Sequence, residues 1–184
     1  MKNKVKKLAV YTEVFLTPSM TFIFRQITSM PKEWKTFCMA RTRANAGLFP
    51  YSNIYCSKRT FFERVKNKIS KILRYRYISL RRKSLRYFIS IIESEKPSLI
   101  HAHFGPSALE ILPVARRLNI PMVTTFHGFD ASFLLRDDNY LTQLKDLFDY
   151  SYVLTVSETM RKRLVMVGAP NDRSKCAYIG VPLE

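Results

Sequence analysis

"SLIHAHFGPSALEILPVARRLNIPMVTTFHG", residues 98–128, decides how this chain folds. After Pro97, "SLIHAHF" (98–104) is a short apolar run of strand length. "PSALEILPVARRLN" (106–119) reads as a helix, and "IPMVTTFHG" (120–128) as a second strand. The alternation continues with "DNYLTQLKDLFD" (138–149) as helix and "SYVLTVS" (151–157) as strand. "ETMRKRLVMVG" (158–168) follows as helix and "CAYIGVP" (176–182) as a last strand. Strands alternating with helices of about a dozen residues are βαβ units, which build a parallel sheet. Such strands are covered on both faces, so continuous apolar runs are expected of them. The expected fold class is α/β: a Rossmann-like domain with a mostly parallel sheet flanked by helices.

Working outward, "LAVYTEVFL" (8–16) is a further strand. "TPSMTFIFRQI" (17–27) opens with turn and helix-start residues. "WKTFCMA" (34–40) is a strand and "RTRANAGLFPYSN" (41–53) a loop. From Ser57 to Glu95 apolar residues recur at three-to-four spacing, with a break near Tyr75–Ser79. A length of 184 residues accommodates one domain, and 47% hydrophobic residues supply a core for it. Cys38, Cys56 and Cys176 are odd in number and far apart, which fits a reducing compartment better than a disulfide framework. The N-terminus mimics a signal peptide, but Glu13 interrupts its apolar part. No run reaches the ~20 apolar residues of a spanning helix. A soluble or peripheral cytoplasmic protein is expected.

The net charge of +17 is lopsided. Residues 1–97 carry 22 Lys and Arg against 5 Asp and Glu, whereas residues 98–184 carry 9 of each. Residues 58–86 hold twelve basic side chains, and Glu63 is the one acid among them. A solvated helix face mixes both signs, because like charges at i,i+4 destabilise it. Aromatics such as Phe61, Phe62, Tyr75 and Tyr87 are interleaved. That pattern suits an anionic membrane surface, and equally a nucleic-acid backbone.

All three histidines fall between His101 and His127. The period of two puts His101 and His103 on one strand face, and His127 ends the next strand. Open α/β sheets bind ligands beyond these strand ends, which brings His103, His127, Gly105, Gly128 and Asp130 to one cleft. His101, deeper in its strand, reads as a hydrogen-bonded core residue. Gly105 and Gly128 also suit turns, and the Gly105–Pro106 helix start would favour an anion. H-x-H is a possible metal-ligand spacing, so a metal-dependent hydrolase built on the three histidines stays open. Phosphate-loop, dinucleotide and serine-hydrolase signatures are missing.

"LIHAHFGPSALEILPVARRLNIPMVTTFHGFDAS", "LFDYSYVLTVSETMRKRLVMVGAP" and "YIGVPLE" together resemble the N-terminal, acceptor-side domain of family 4 glycosyltransferases. The likeness is to bacterial exopolysaccharide and lipopolysaccharide enzymes of the colanic-acid type. "TPSMTFIFRQI" is similar to that family's "SETFI" segment, with Met20 where an acid is usual. The resemblance covers residues 98–184 well, 8–30 less well and 40–90 poorly. It implies the N-terminal half of a GT-B fold: one acceptor-binding domain over 1–184, with a basic helical insertion at about 58–95. The implied activity is transfer of a sugar from a nucleotide-sugar to a lipid-linked or saccharide acceptor, with retention and without a cofactor or metal. His127, in the family's "T-x-HG-x-D", would act on the sugar near the reacting centre. His103, Gly105, Gly128, Asp130, Ser157 and Glu158 would line the substrate cleft, with Ser157 equally suited to cap a helix. Lys66, Lys71, Arg74, Arg81, Arg82, Lys83 and Arg86 would meet the inner face of the cytoplasmic membrane. The family's donor half would follow "YIGVPLE", where this sequence stops, so the domain is expected to be inactive without a donor-domain partner. A nucleic-acid- or polyanion-binding module is the alternative from another class.

Overall fold

The computed structural model describes residues 6–57, 78–80 and 82–180. Seven parallel strands form one sheet: β1 Lys6–Phe15, β2 Trp34–Arg43, β3 Ile54–Cys56, β4 Leu99–His103, β5 Met122–Phe126, β6 Tyr152–Thr155 and β7 Ser174–Cys176. Their order is β3-β2-β1-β4-β5-β6-β7. Among the described residues five α-helices join them: α1 Thr21–Thr28, α2 Arg82–Glu95, α3 Gly105–Leu118, α4 Asp138–Tyr150 and α5 Glu158–Met166. This is the parallel α/β architecture that the alternation of residues 98–176 implies.

The period of two along β1 divides the core. Ala9 and Tyr11 point into one cluster with Phe88, Ile92, Ile111, Leu144 and Phe148, from α2, α3 and α4. Leu8 and Val10 point into the other, with Ile23 and Ile27 of α1. In register, Val10 lies beside His101, and His103 beside Thr125 and then Leu154. The histidines of β4 therefore belong to the α1 face of the sheet.

One polar cluster is buried between the layers. Glu110 of α3 accepts from the Tyr11 hydroxyl at 2.8 Å and from Arg41 Nη1 at 2.5 Å. Burial raises the Glu110 pKa, and Arg41 opposes that. Paired in this way, the carboxylate ties α3 to β1 and β2 together. At the opposite, amino edge of the sheet Trp34, the single tryptophan, starts β2 half-buried with Lys6 Nζ 5.5 Å from its ring.

Of the boundaries that differ from the sequence reading, those of β2, β3 and β7 are set by strand pairing. β2 continues to Arg43 because Thr42 and Arg43 pair with Val14 and Phe15. Between the expected loop (41–53) and the helical pattern from Ser57, Ile54–Cys56 pair with Cys38–Ala40 as β3. Three residues are too few to show a period. β7 starts at Ser174 and stops at Cys176, because only Val153–Thr155 of β6 are there to pair with it. Much of the expected basic insertion, with Lys66, Lys71, Arg74 and Arg81, lies outside the described residues. Arg82, Lys83 and Arg86 stand exposed on α2.

Candidate active site

The strand order reverses between β1 and β4, and the loops leaving their carboxyl ends diverge there. A cavity of about 290 Å³ opens at this point, between Thr12, Glu13 and Met20 on one side and Phe104, Pro106 and Ser107 on the other. The two loops are joined where Ser107 Oγ accepts from the Glu13 N–H at 3.1 Å. A neighbouring cleft of about 400 Å³ lies under α1, where Phe22, Arg25 and Gln26 face Thr125, His127 and Val156. Tyr178 and Ile179 close its far wall.

His127 is packed from several sides. Its ring lies 4.7 Å from that of Phe22, 4.5 Å from Phe104 and 5.3 Å from His103, centroid to centroid. Its Nε2 is 3.1 Å from His103 Nδ1, while His101 Nε2 is 2.7 Å from Thr125 Oγ1. Burial pushes the His101 and His127 imidazoles down to about 4, and His103 well below its ordinary value. At neutral pH all three are uncharged rings, each with one N–H donor and one acceptor nitrogen. Phe104 holds φ at +72°, a region that a side chain enters at a cost of about 1–3 kcal/mol, and its ring is one of those against His127.

Asp130 is almost fully buried and braces the site. One carboxylate oxygen accepts from the N–H groups of His127 and Gly128, each at 3.0 Å, and the other from Gly105 N–H at 2.9 Å. Burial raises its pKa, and the backbone donors lower it. The anion favoured by the α3 start is thus this side chain. Gly128 sits at φ +141°, which L side chains rarely adopt. Gly105 is close-packed: a Cβ there would lie 2.0 Å from Tyr140 Oη. Both glycines are required by the backbone path around Asp130, and Asp130 also lines the smaller cavity.

The structure therefore gathers His103, His127, Gly105, Gly128 and Asp130 at one edge, as the strand pattern predicts. Ser157 and Glu158 stand at the next strand end. Ser157 caps α5, accepting from Met160 N–H at 3.3 Å. Glu158 is held by the Arg161 guanidinium, Nε to Oε1 2.8 Å, which lowers its pKa. Val156, just before them, is the residue that lines the larger cleft. Among the described residues no three His, Cys, Asp or Glu side chains are disposed to hold a metal ion. The sequence reading missed Phe22, Arg25 and Gln26. Burial of Ile23 and Ile27 leaves Arg25 and Gln26 exposed, a signal already present in the α1 pattern, while Phe22 stays half-buried against the same core cluster. It also missed Thr12, Glu13 and Ser107, which carry no motif.

The family model of Glycosyltransferase Family 4 matches residues 52–184. No curated protein sequence matches the chain. Among solved structures, Anabaena Alr3699/HepE in complex with UDP-glucose superposes with a TM-score of 0.72 at 9% identity, covering 95% of this chain and 44% of that one. UDP-N-acetylglucosamine 2-epimerase from Rickettsia bellii gives 0.62 at 17% identity, covering 95% and 45%. A sucrose-phosphate synthase fragment from Thermosynechococcus elongatus gives 0.58 at 14%, covering 95% and 90%. The chain thus spans less than half the length of the first two proteins. These likenesses establish a shared Rossmann-like, GT-B-type fold. The family match spans most of the chain, including every strand from β3 onward and the histidine edge: the chain belongs to Glycosyltransferase Family 4.

Proposed function

We propose that the chain is the acceptor-side half of a retaining hexosyltransferase that builds cell-surface polysaccharide of the exopolysaccharide or lipopolysaccharide kind. The observation that carries this reading is the pairing of the two cavities. One opens at the reversal of strand order, and the other holds uncharged His127 in its wall. In this reading the acceptor enters between the β1 and β4 loops. His127 orients the transferred sugar by hydrogen bonding, and a donor domain supplies the nucleotide-sugar and meets the charge on the leaving diphosphate. No resident cofactor is required.

The test uses the native protein, immunopurified at its full length with an antibody to this region. Given radiolabelled nucleotide-sugars and a lipid extract, it should move label into a lipid-linked or saccharide product. His127→Ala should lower that rate at least ~100-fold, the scale of a lost transition-state contact. Absence of transfer from every nucleotide-sugar would overturn the reading. The 184-residue chain alone should show no transfer, and turnover by it would refute the need for a partner half.

The same reading places the chain on the inner face of the cytoplasmic membrane. Among the described residues no helix is long and apolar enough to cross a membrane. Arg82 and Arg86 of α2 instead share a hollow of about 300 Å³ with Arg117 of α3, and the basic run lies beside them in sequence. Such a surface gains about 1 kcal/mol per basic residue near anionic lipid. Sedimentation with anionic vesicles, weakened by Arg82→Glu and Arg86→Glu, is the expected result. Tighter binding to nucleic acid than to those vesicles would favour the polyanion-binding alternative.

A further inference from the structure

The two cavities at the carboxyl edge differ in charge. Glu13 and Asp130 line the smaller one, and among the described residues no basic side chain joins them. Arg25 lines the larger one, and among the described residues no carboxylate joins it there. His127 adds no charge to that wall, because burial holds its imidazole at about 4. The same edge of the sheet thus offers an anion one cleft that attracts it and one that repels it.

The α1 sequence explains the attracting wall. Ile23 and Ile27 are buried and fix the rotation of the helix. Thr21, Arg25 and Ser29, each four residues from the last, then fall on one side, with Gln26 next to Arg25. All four line the cleft. Their side chains make no hydrogen bond or ion pair with other described residues. Arginines elsewhere differ: Arg161 is engaged by Glu158 at 2.6 Å, and Arg41 by Glu110. The cleft therefore receives a guanidinium fork, an amide and two hydroxyls within a volume of about 400 Å³. That volume is the scale of a small-molecule site. A planar fork with no carboxylate to take it fits the oxygens of a phosphoryl group.

We propose that Arg25 anchors a diphosphate-binding site in the larger cleft, with Thr21 and Gln26 adding donors from the same helix. That the anion is a diphosphate rests on the proposed glycosyl transfer; that the cleft takes an anion does not. A nucleotide-sugar carries a diphosphate, and so does an acceptor joined to lipid through one. In either case Arg25 acts beside whatever a donor domain contributes, and the carboxylates of the smaller cavity keep the group out of it.

The test is isothermal titration calorimetry of the 184-residue chain with inorganic pyrophosphate, UDP and farnesyl diphosphate. Physiological salt screens diffuse attraction to a chain of net charge +17. Arg25→Gln and Lys145→Gln each remove one exposed positive charge, so the pair separates a site from a general field. Arg25→Gln should weaken pyrophosphate at least about tenfold, the scale of one charge-assisted hydrogen bond. Lys145→Gln should change it less than about twofold. UDP binding tighter than pyrophosphate, with the gain lost in Arg25→Gln, would name the nucleotide-sugar as the source. The same result for farnesyl diphosphate would name the lipid-linked acceptor. Equal losses in the two variants overturn the proposal, as does no loss in Arg25→Gln or no binding of pyrophosphate by the unaltered chain. Calorimetry reads binding whether or not sugar moves. A missing site with transfer intact sinks this inference alone, and a working site without transfer sinks the transferase reading alone.

Discussion

Burial holds the His101 and His127 imidazoles at about 4 and His103 well below its ordinary value, so the folded chain resists protons that the unfolded chain accepts. Their stabilising contribution is complete above the unfolded value of 6.5 and is lost as the pH falls towards 4. Each should cost about 1.4 kcal/mol per pH unit in that window. Urea denaturation should show the midpoint dropping between pH 6.5 and 4.5, and His101→Gln should flatten the slope by about one histidine's share. Asp130 is the second sensitive residue. Asp130→Ala strands three backbone N–H groups in a buried turn, and a loss of about 3 kcal/mol is expected by urea titration. At this scale the sequence was partly legible. The period of two and the strand ends locate His103, His127 and Asp130. No spacing says that Asp130 turns inward to the backbone, because that depends on how residues 127–130 fold back over the start of α3.

Helix α3 begins where space is tightest. A Cβ at Gly105 would meet Tyr140 Oη at 2.0 Å and Phe126 Cε1 at 2.7 Å. Gly105→Ala should therefore lower stability by about 2 kcal/mol, the usual cost of overpacking. Tyr140→Phe in the same chain should return part of that by removing the nearer contact, a coupling that a double-mutant cycle measures. One turn further on, Glu110 binds Tyr11 and Arg41 across the layers. Glu110→Ala should cost about 3 kcal/mol, because it takes the nearer carboxylate from a part-buried guanidinium and leaves it Glu13 Oε1 at 3.8 Å, whereas Tyr11→Phe should cost about 1 kcal/mol. Calorimetric melting of the two variants checks the difference. Long elements were readable: α4, for example, spans Asp138–Tyr150 with Asp137 capping it, against an expected 138–149. Short edge elements were not, since β3 and β7 owe their existence to the strands they pair with.

For the molecule as a whole, residues 98–184 balance charge and carry the histidine edge, while residues 1–97 carry the entire surplus. β1 is an interior strand, third of seven, with β3 and β2 on one side and β4 to β7 on the other. The alternation of apolar runs made the parallel sheet legible, but the interior position of β1 is a property of the crossovers and leaves no local trace.

The placement of Trp34 gives the molecule a built-in optical asymmetry. The indole begins β2, and the strand's other end, at Arg43, lies about 30 Å away at ~3.3 Å per residue. The cavities open at that carboxyl edge. Emission from this single indole should therefore follow loss of the whole sheet, coinciding with far-ultraviolet dichroism in denaturant, and stay constant when the cleft fills. Ligand titrations read by selectively excited tryptophan emission would look silent even at saturation. An indole introduced by Phe22→Trp, against His127, would report occupancy that Trp34 does not see.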